Sequence, residues 1–214
     1  MRLWLAVLGF GVLLGPGQPA PTAADLARQV QAHYTGIHDF TADFAQTLKG
    51  GVTSQTVNDR GTVRIKKPGR MLWDYATSQK QRVVADGTDI YIYLPEDRKL
   101  YVTPLPKADE ASKAMLFLSG RGDLTRDFTA SLDGDQPPGQ WRLKLVPKVP
   151  DSDFTTLTLV VNRASLSLEG LITTDQTGGV TTYAFSKLKE NVGLKDSDFV
   201  FDTRRLPKDV EVIR

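Results

Sequence analysis

Turn-forming residues recur along this chain at short, nearly regular intervals, and that cadence limits its fold more than any other feature. Lys67-Pro68-Gly69, Asp86-Gly87, Pro95-Glu96-Asp97, Asp133-Gly134-Asp135, Asn162-Arg163 and Thr177-Gly178-Gly179 each mark a reversal. Between such points the side chains follow a period of two, as where Phe40, Ala42 and Phe44 alternate with Thr41, Asp43 and Ala45. The pattern predicts eleven strands, near residues 39–48, 58–67, 70–76, 80–85, 88–94, 99–103, 127–133, 141–147, 154–162, 166–175 and 179–189. An open sheet of more than about ten strands has to curl, split or close. The expected architecture is therefore mainly β, an unclosed antiparallel β-barrel of about eleven strands with two helices packed against it.

The first helix is read from Leu26, Val30, Tyr34 and Ile37, which share one stripe at helical spacing; it starts at Asp25 and ends near Gly36, with Thr22 or Asp25 as N-cap. The second is read from Ala111, Met115 and Leu118 within residues 107–119, behind Pro104 and Pro106. There Met115-Leu116-Phe117-Leu118 wraps four large apolar side chains around the helix. They cannot all face one flat sheet, so some are expected to be exposed or to plug a hollow.

At the start of the chain, Met1-Arg2 precedes an apolar run from Leu3 to Leu14, which breaks at Gly15-Pro16-Gly17 and ends in Thr22-Ala23-Ala24. That run is too short to cross a bilayer core of about 30 Å as a helix. The order of charge, apolar stretch and small residues predicts a cleaved secretory signal over residues 1–24, cut after Ala23 or Ala24, and a single exported domain over residues 25–214.

Composition removes several kinds of chemistry. No cysteine occurs, which excludes disulfides, thiolate metal sites and thiol catalysis. Lys and Arg outnumber Asp and Glu by only 27 to 25, so nucleic acid is not an expected partner. His33 and His38 come with neither a Gly-x-Ser-x-Gly elbow nor a His-Glu-x-x-His pair, and read as surface or cap residues. Asp133-Gly134-Asp135 and Asp151-Ser152-Asp153 lack the ligand spacing of a calcium loop and read as hairpin turns. No metal, cofactor or catalytic residue is expected, although sequence leaves open the paired carboxylates of an exported hydrolase.

The unusual region lies between residues 70 and 94. Met71, Trp73 and Tyr75 share one strand face, and Asp89-Ile90-Tyr91-Ile92-Tyr93-Leu94 is apolar on both of its faces. Such a strand is either packed on two sides or belongs to a sheet whose inner surface lines something apolar.

Taken in order, Phe44-x-Gln46, Gly61, Lys66-Lys67-Pro68-Gly69-Arg70-Met71-Leu72-Trp73-x-Tyr75, Asp86-Gly87-x-x-Ile90-Tyr91-x-Tyr93-x-Pro95, Leu143-x-Leu145-x-Pro147, Thr182-Tyr183-x-Phe185 and Phe199-x-Phe201 resemble one family. It is that of the periplasmic outer-membrane lipoprotein carrier proteins of Gram-negative bacteria, the LolA-like family. The resemblance implies a half-open barrel covered at its mouth by helices, with an apolar cavity that takes the acyl chains of lipoproteins. It implies no enzymatic activity, cargo received from an inner-membrane ABC-type lipoprotein-releasing complex, and delivery to an outer-membrane lipoprotein receptor. A monomer in the periplasm is expected.

On the same ground the acyl-chain cavity is expected to be lined by Phe44, Met71, Trp73, Val83 and Tyr91, with Met115, Leu116 and Leu118 on the lid. Members of the family carry an arginine just before the proline, bonded to the lid. Lys67 stands there instead and is the latch candidate, a point charge in place of a planar fork of donors. Arg64 and Arg70 are possible substitutes, and a solvated lysine beside a turn is the plainer reading. The rival readings are a carrier or sensor of another lipid on the same scaffold, such as a glycolipid or hopanoid, and a purely structural or inhibitory β protein with a solidly packed core. The carrier reading requires an under-filled interior beneath residues 107–119.

Overall fold

The computed structural model describes residues 20–52, 55–77, 80–107 and 110–214, so most of the expected signal segment lies outside the described residues. Helix α1 (Ala23–Thr35) is capped by Thr22, whose Oγ1 accepts the Asp25 N–H at 3.1 Å, and it ends at Gly36. A cut after Ala23 or Ala24 would fall in its first turn and remove that cap.

Strands β1 (Asp39–Lys49), β2 (Thr56–Lys66), β3 (Arg70–Tyr75), β4 (Arg82–Asp86), β5 (Asp89–Leu94) and β6 (Lys99–Pro104) follow. After two short helices, α2 (Lys113–Leu118) and α3 (Leu124–Asp127), come β7 (Phe128–Leu132), β8 (Gln140–Pro147), β9 (Thr156–Asn162), β10 (Leu168–Thr174), β11 (Val180–Glu190) and β12 (Glu211–Ile213). They form one sheet ordered β12-β6-β5-β4-β3-β2-β1-β11-β10-β9-β8-β7. The eleven expected strands are all present. The twelfth is three residues long and pairs parallel with β6, too brief to leave a periodic signal.

The expected second helix is shorter than its pattern, and α3, a single turn, adds a helix to the two expected. Asp151 caps α2 from the β8–β9 loop, its Oδ2 accepting the Lys113 N–H at 2.8 Å. Asp123 starts α3, its carboxylate accepting the N–H groups of Thr125 and Arg126 at 2.8 Å each. Asp151 is thus a helix cap supplied across the fold, which local spacing does not reveal.

Two cores result. The main one lies inside the curve, where Leu26 and Val30 of α1 and Leu124 of α3 meet Phe40, Ile65, Phe128, Leu143, Leu145, Leu157 and Leu159 of the sheet, all buried. A smaller one lies outside, beneath the chain that follows β11. Phe199 is buried with Val84 and Leu100, and the Phe201 ring stacks on Tyr91 at 5.4 Å and meets Tyr93 edge-on at 6.0 Å. This outer packing explains why β5 is apolar on both sides.

Asp39 fastens the start of that outer segment. Its buried carboxylate accepts the N–H groups of Val192 at 2.7 Å, Gly193 at 3.1 Å and Leu194 at 3.1 Å, while its carbonyl accepts that of Asn191 at 2.7 Å. Asp39→Ala strands these donors and is expected to cost about 3 kcal/mol of stability in urea unfolding. Proteolysis within residues 195–214 should appear first.

Candidate functional site

Antiparallel register puts directly opposed residues on the same face, so cross-strand rows trace the inner surface. One row runs Phe40, Ile65, Met71, Ala85, Ile90. The next runs Ala42, Val63, Trp73, Val83, Ile92 and ends at Tyr101 of β6. Along that row burial falls away: Ala42 and Val63 are buried, whereas Trp73, Val83 and Ile92 are each half-buried. The inner face is therefore unequal. Its β7–β11 half is sealed by α1 and α3, while its β3–β5 half leaves an apolar strip within reach of solvent.

Aromatic rings border the strip. Phe44 meets Trp73 at 5.1 Å and Tyr75 at 5.0 Å, both edge-to-face, and Trp73 meets Tyr183 at 5.4 Å. Gly61 lies opposite both Phe44 and Tyr75; a Cβ there would come within 2.9 Å of the Phe44 ring and collide with the Asp74 carbonyl. Only glycine lets the ring cross β2.

The lid fills the centre. Phe117 is buried and stacks on Tyr34 of α1 at 4.4 Å, Leu118 is buried in the main core, and Met115 is half-buried against it. The under-filled interior expected beneath residues 107–119 is not found among the described residues: the lid's own side chains take that space, and the accessible apolar surface lies beside it, on β3–β5. Residues 108 and 109 lie outside the described residues.

Lys67 sits at the joint. Its ammonium lies 3.4 Å from the centre of the Tyr34 ring and donates to the Tyr34 carbonyl. Two residues on, the Gly69 N–H donates to the Ser119 carbonyl at 3.1 Å, and the Tyr34 hydroxyl donates to the Leu118 carbonyl at 2.8 Å. Gly120, at φ +73°, packs against the Lys67 methylenes, where any side chain would clash. The Lys67-Pro68-Gly69 turn therefore ties the end of α1 to the end of α2.

Of the expected lining, Phe44, Met71, Trp73 and Val83 face inward. Tyr91 does not: it pairs opposite Val84 and stacks outside on Phe201. Both faces of β5 are apolar, so its own pattern does not say which is inner. On the lid, Leu118 faces the core as expected, Met115 reaches it in part, and Leu116 is buried outside the main core. Phe117, the largest plug, belongs to the apolar run but is not among the lid residues the sequence singles out. Arg70 pairs with Asp196 at 3.2 Å and Arg64 lies on the outer face beside Lys187 and Lys189, so neither substitutes for Lys67. Among the described residues no group of three or more His, Asp or Glu could hold a metal ion.

The site is thus a bent sheet that carries an apolar strip beside a helix whose own side chains fill the centre of the curve. The sequence model of the outer membrane lipoprotein carrier protein LolA matches residues 35–202, and the chain belongs to that family. It is 29% identical over 215 residues to the outer-membrane lipoprotein carrier protein of Chromohalobacter salexigens, covering 100% of this chain and 99% of that protein. To the protein of the same name from Methylobacillus flagellatus it is 30% identical over 183 residues, 86% of this chain and 87% of the relative. A solved structure of an uncharacterized conserved protein from Thermus thermophilus aligns with a TM-score of 0.50 at 14% identity, over 88% of this chain and 98% of that one, a likeness of fold alone.

Burial lowers the Lys67 ammonium from its ordinary 10.5 to about 8, against the opposing pull of the Glu190 charge. Between those values the unfolded chain holds the extra proton, so this group makes stability rise with pH from about 8 to 10.5; below 8 both states are charged and its contribution is flat. Urea midpoints of the wild type are expected to gain on those of Lys67→Met across that window and to run parallel with them at lower pH.

Proposed function

We propose that this chain carries lipoproteins across the periplasm by their acyl chains, taking them from an inner-membrane ABC-type releasing complex and passing them to an outer-membrane lipoprotein receptor. Membership of the carrier family supports this reading, and the half-buried strip of Trp73, Val83 and Ile92 beside the lid is the observation that carries it. Among the described residues no helix is long and apolar enough to cross a membrane. Residues 1–24 serve as the export signal and residues 25–214 as the carrier domain.

Three acyl chains of about 16 carbons would cost roughly 40 kcal/mol to hydrate fully, at ~0.8 kcal/mol per methylene. A carrier has to supply an apolar surface nearly as good as a membrane and still release its cargo. Here Phe117, Leu118 and Met115 occupy the space that acyl chains would take, so loading exchanges one set of apolar contacts for another. The net drive is small, and exchange in both directions stays within reach. The polar ties that oppose it are countable: the Lys67 ammonium and the Gly69 N–H link the β2–β3 turn to the helix ends, the Tyr34 hydroxyl donates to the Leu118 carbonyl and the Lys113 N–H to Asp151, each at 2.8 Å, and the Arg121 guanidinium donates to the Pro106 carbonyl at 3.3 Å. Phe44, Met71, Trp73 and Val83 would line the loaded cavity. The chemistry is displacement, with no bond made or broken.

Val83→Glu puts a charge on the strip where the side chain is only half-buried, so the fold is expected to survive with its circular dichroism spectrum unchanged. Lipoprotein release from spheroplasts by this variant should fall more than about tenfold, the effect of roughly 1.4 kcal/mol or more. Release at the wild-type level would move the cavity elsewhere. Release of a glycolipid in place of lipoprotein would favour the other lipid carrier.

A further inference from the structure

One row beyond Phe44, the inner face turns polar. Gln46 on β1 lies opposite Asp59 on β2 and Tyr183 on β11, and Tyr75 completes the group opposite Gly61. The Tyr75 and Tyr183 rings pack on Phe44 at 5.0 and 6.2 Å, which fixes where their hydroxyls sit. Burial raises both phenols. Asp59 accepts the Thr77 hydroxyl. Gln46 Oε1 stands apart: it is buried, and it is the one buried side-chain polar atom among the described residues without a hydrogen-bond partner.

An unpaired buried acceptor is costly, and folded proteins satisfy nearly all of them. Gln46 shares the inner face with the apolar strip, and ring contacts join the two regions: Phe44 to Trp73 at 5.1 Å and Trp73 to Tyr183 at 5.4 Å. The strip belongs to the Ala42–Val63 row, two rows along β1 from Gln46, so an acyl chain would reach this group by turning from Trp73 across the Tyr183 ring. A lone acceptor asks for a donor, which excludes an ester, and the Asp59 carboxylate nearby disfavours a free fatty acid.

We infer that Gln46, flanked by Tyr75 and Tyr183, is a subsite for the polar junction of an acylated ligand, with Gln46 Oε1 accepting the N–H of an amide-linked acyl chain. The inference rests on the carrier reading and deepens it: it selects an N-acylated ligand over esters and free acids of equal length.

The test compares binding of N-lauroylglycine methylamide, methyl laurate and laurate, each displacing a fluorescent acyl probe from the full exported domain. The wild type is expected to bind the amide about fivefold tighter than the ester. Gln46→Met should weaken the amide alone until the two are equal, and Gln46→Glu, which keeps an acceptor, should preserve the preference over the ester. Equal binding of amide and ester by the wild type, or a preference that survives Gln46→Met, overturns the subsite while leaving the carrier reading standing. If none of the three ligands binds the wild type, both fall. Should neither variant fold, the wild-type preference alone decides.

Discussion

Phe117 lying flat on Tyr34 is the contact around which the closed molecule is arranged. It joins the lid to the first helix, it occupies the centre of the curve, and the separate functions of Tyr34 converge on it. The ring holds the lid by stacking and receives the Lys67 ammonium, while its hydroxyl and backbone carbonyl take part in separate hydrogen bonds. Stacking energies of this kind are about 1 kcal/mol beyond the area they bury, strong enough to define a position and weak enough to be exchanged. Apolar contact and a handful of hydrogen bonds share the work of holding the lid in place.

Much of the fold is legible in the residues because a sheet declares itself locally. The alternation of Phe40, Ala42 and Phe44 and the turn residues at each reversal place eleven strands, and Leu26, Val30 and Tyr34 place the first helix with its buried stripe. What escapes depends on partners distant in sequence. Asp151 caps a helix that lies nearly forty residues earlier in the chain, and Asp39 holds a turn formed by residues 191–194. The inward or outward choice for Tyr91 is set by its register against β4, since β5 offers apolar side chains on both faces. Lys67 is legible as a position through the proline and glycine that follow it. Its partner, the Tyr34 carbonyl, is not, because backbone acceptors carry no sequence signature.

The outer segment after β11 changes how the thin part of the sheet is held. Strands β3–β5 lack the helices that press on the other half from within, and a curved sheet bare on its inner side needs support from elsewhere. Phe199 and Phe201 supply it from outside, and Lys66 and Arg70 both reach Asp196 to fix the short helical turn that positions them. The strip can stay uncovered because its reverse side is packed.

The last strand also has a bearing on solubility. By pairing with Lys99, Leu100 and Tyr101, β12 covers the first half of the outer edge of β6, on the side of the uncovered strip. An edge of that kind left bare is a template for a foreign strand, and beside apolar side chains it would invite molecules to zip together. Glu211–Ile213 thus act as a selvedge beside the greasy strip, covering the stretch of edge from Lys99 to Tyr101.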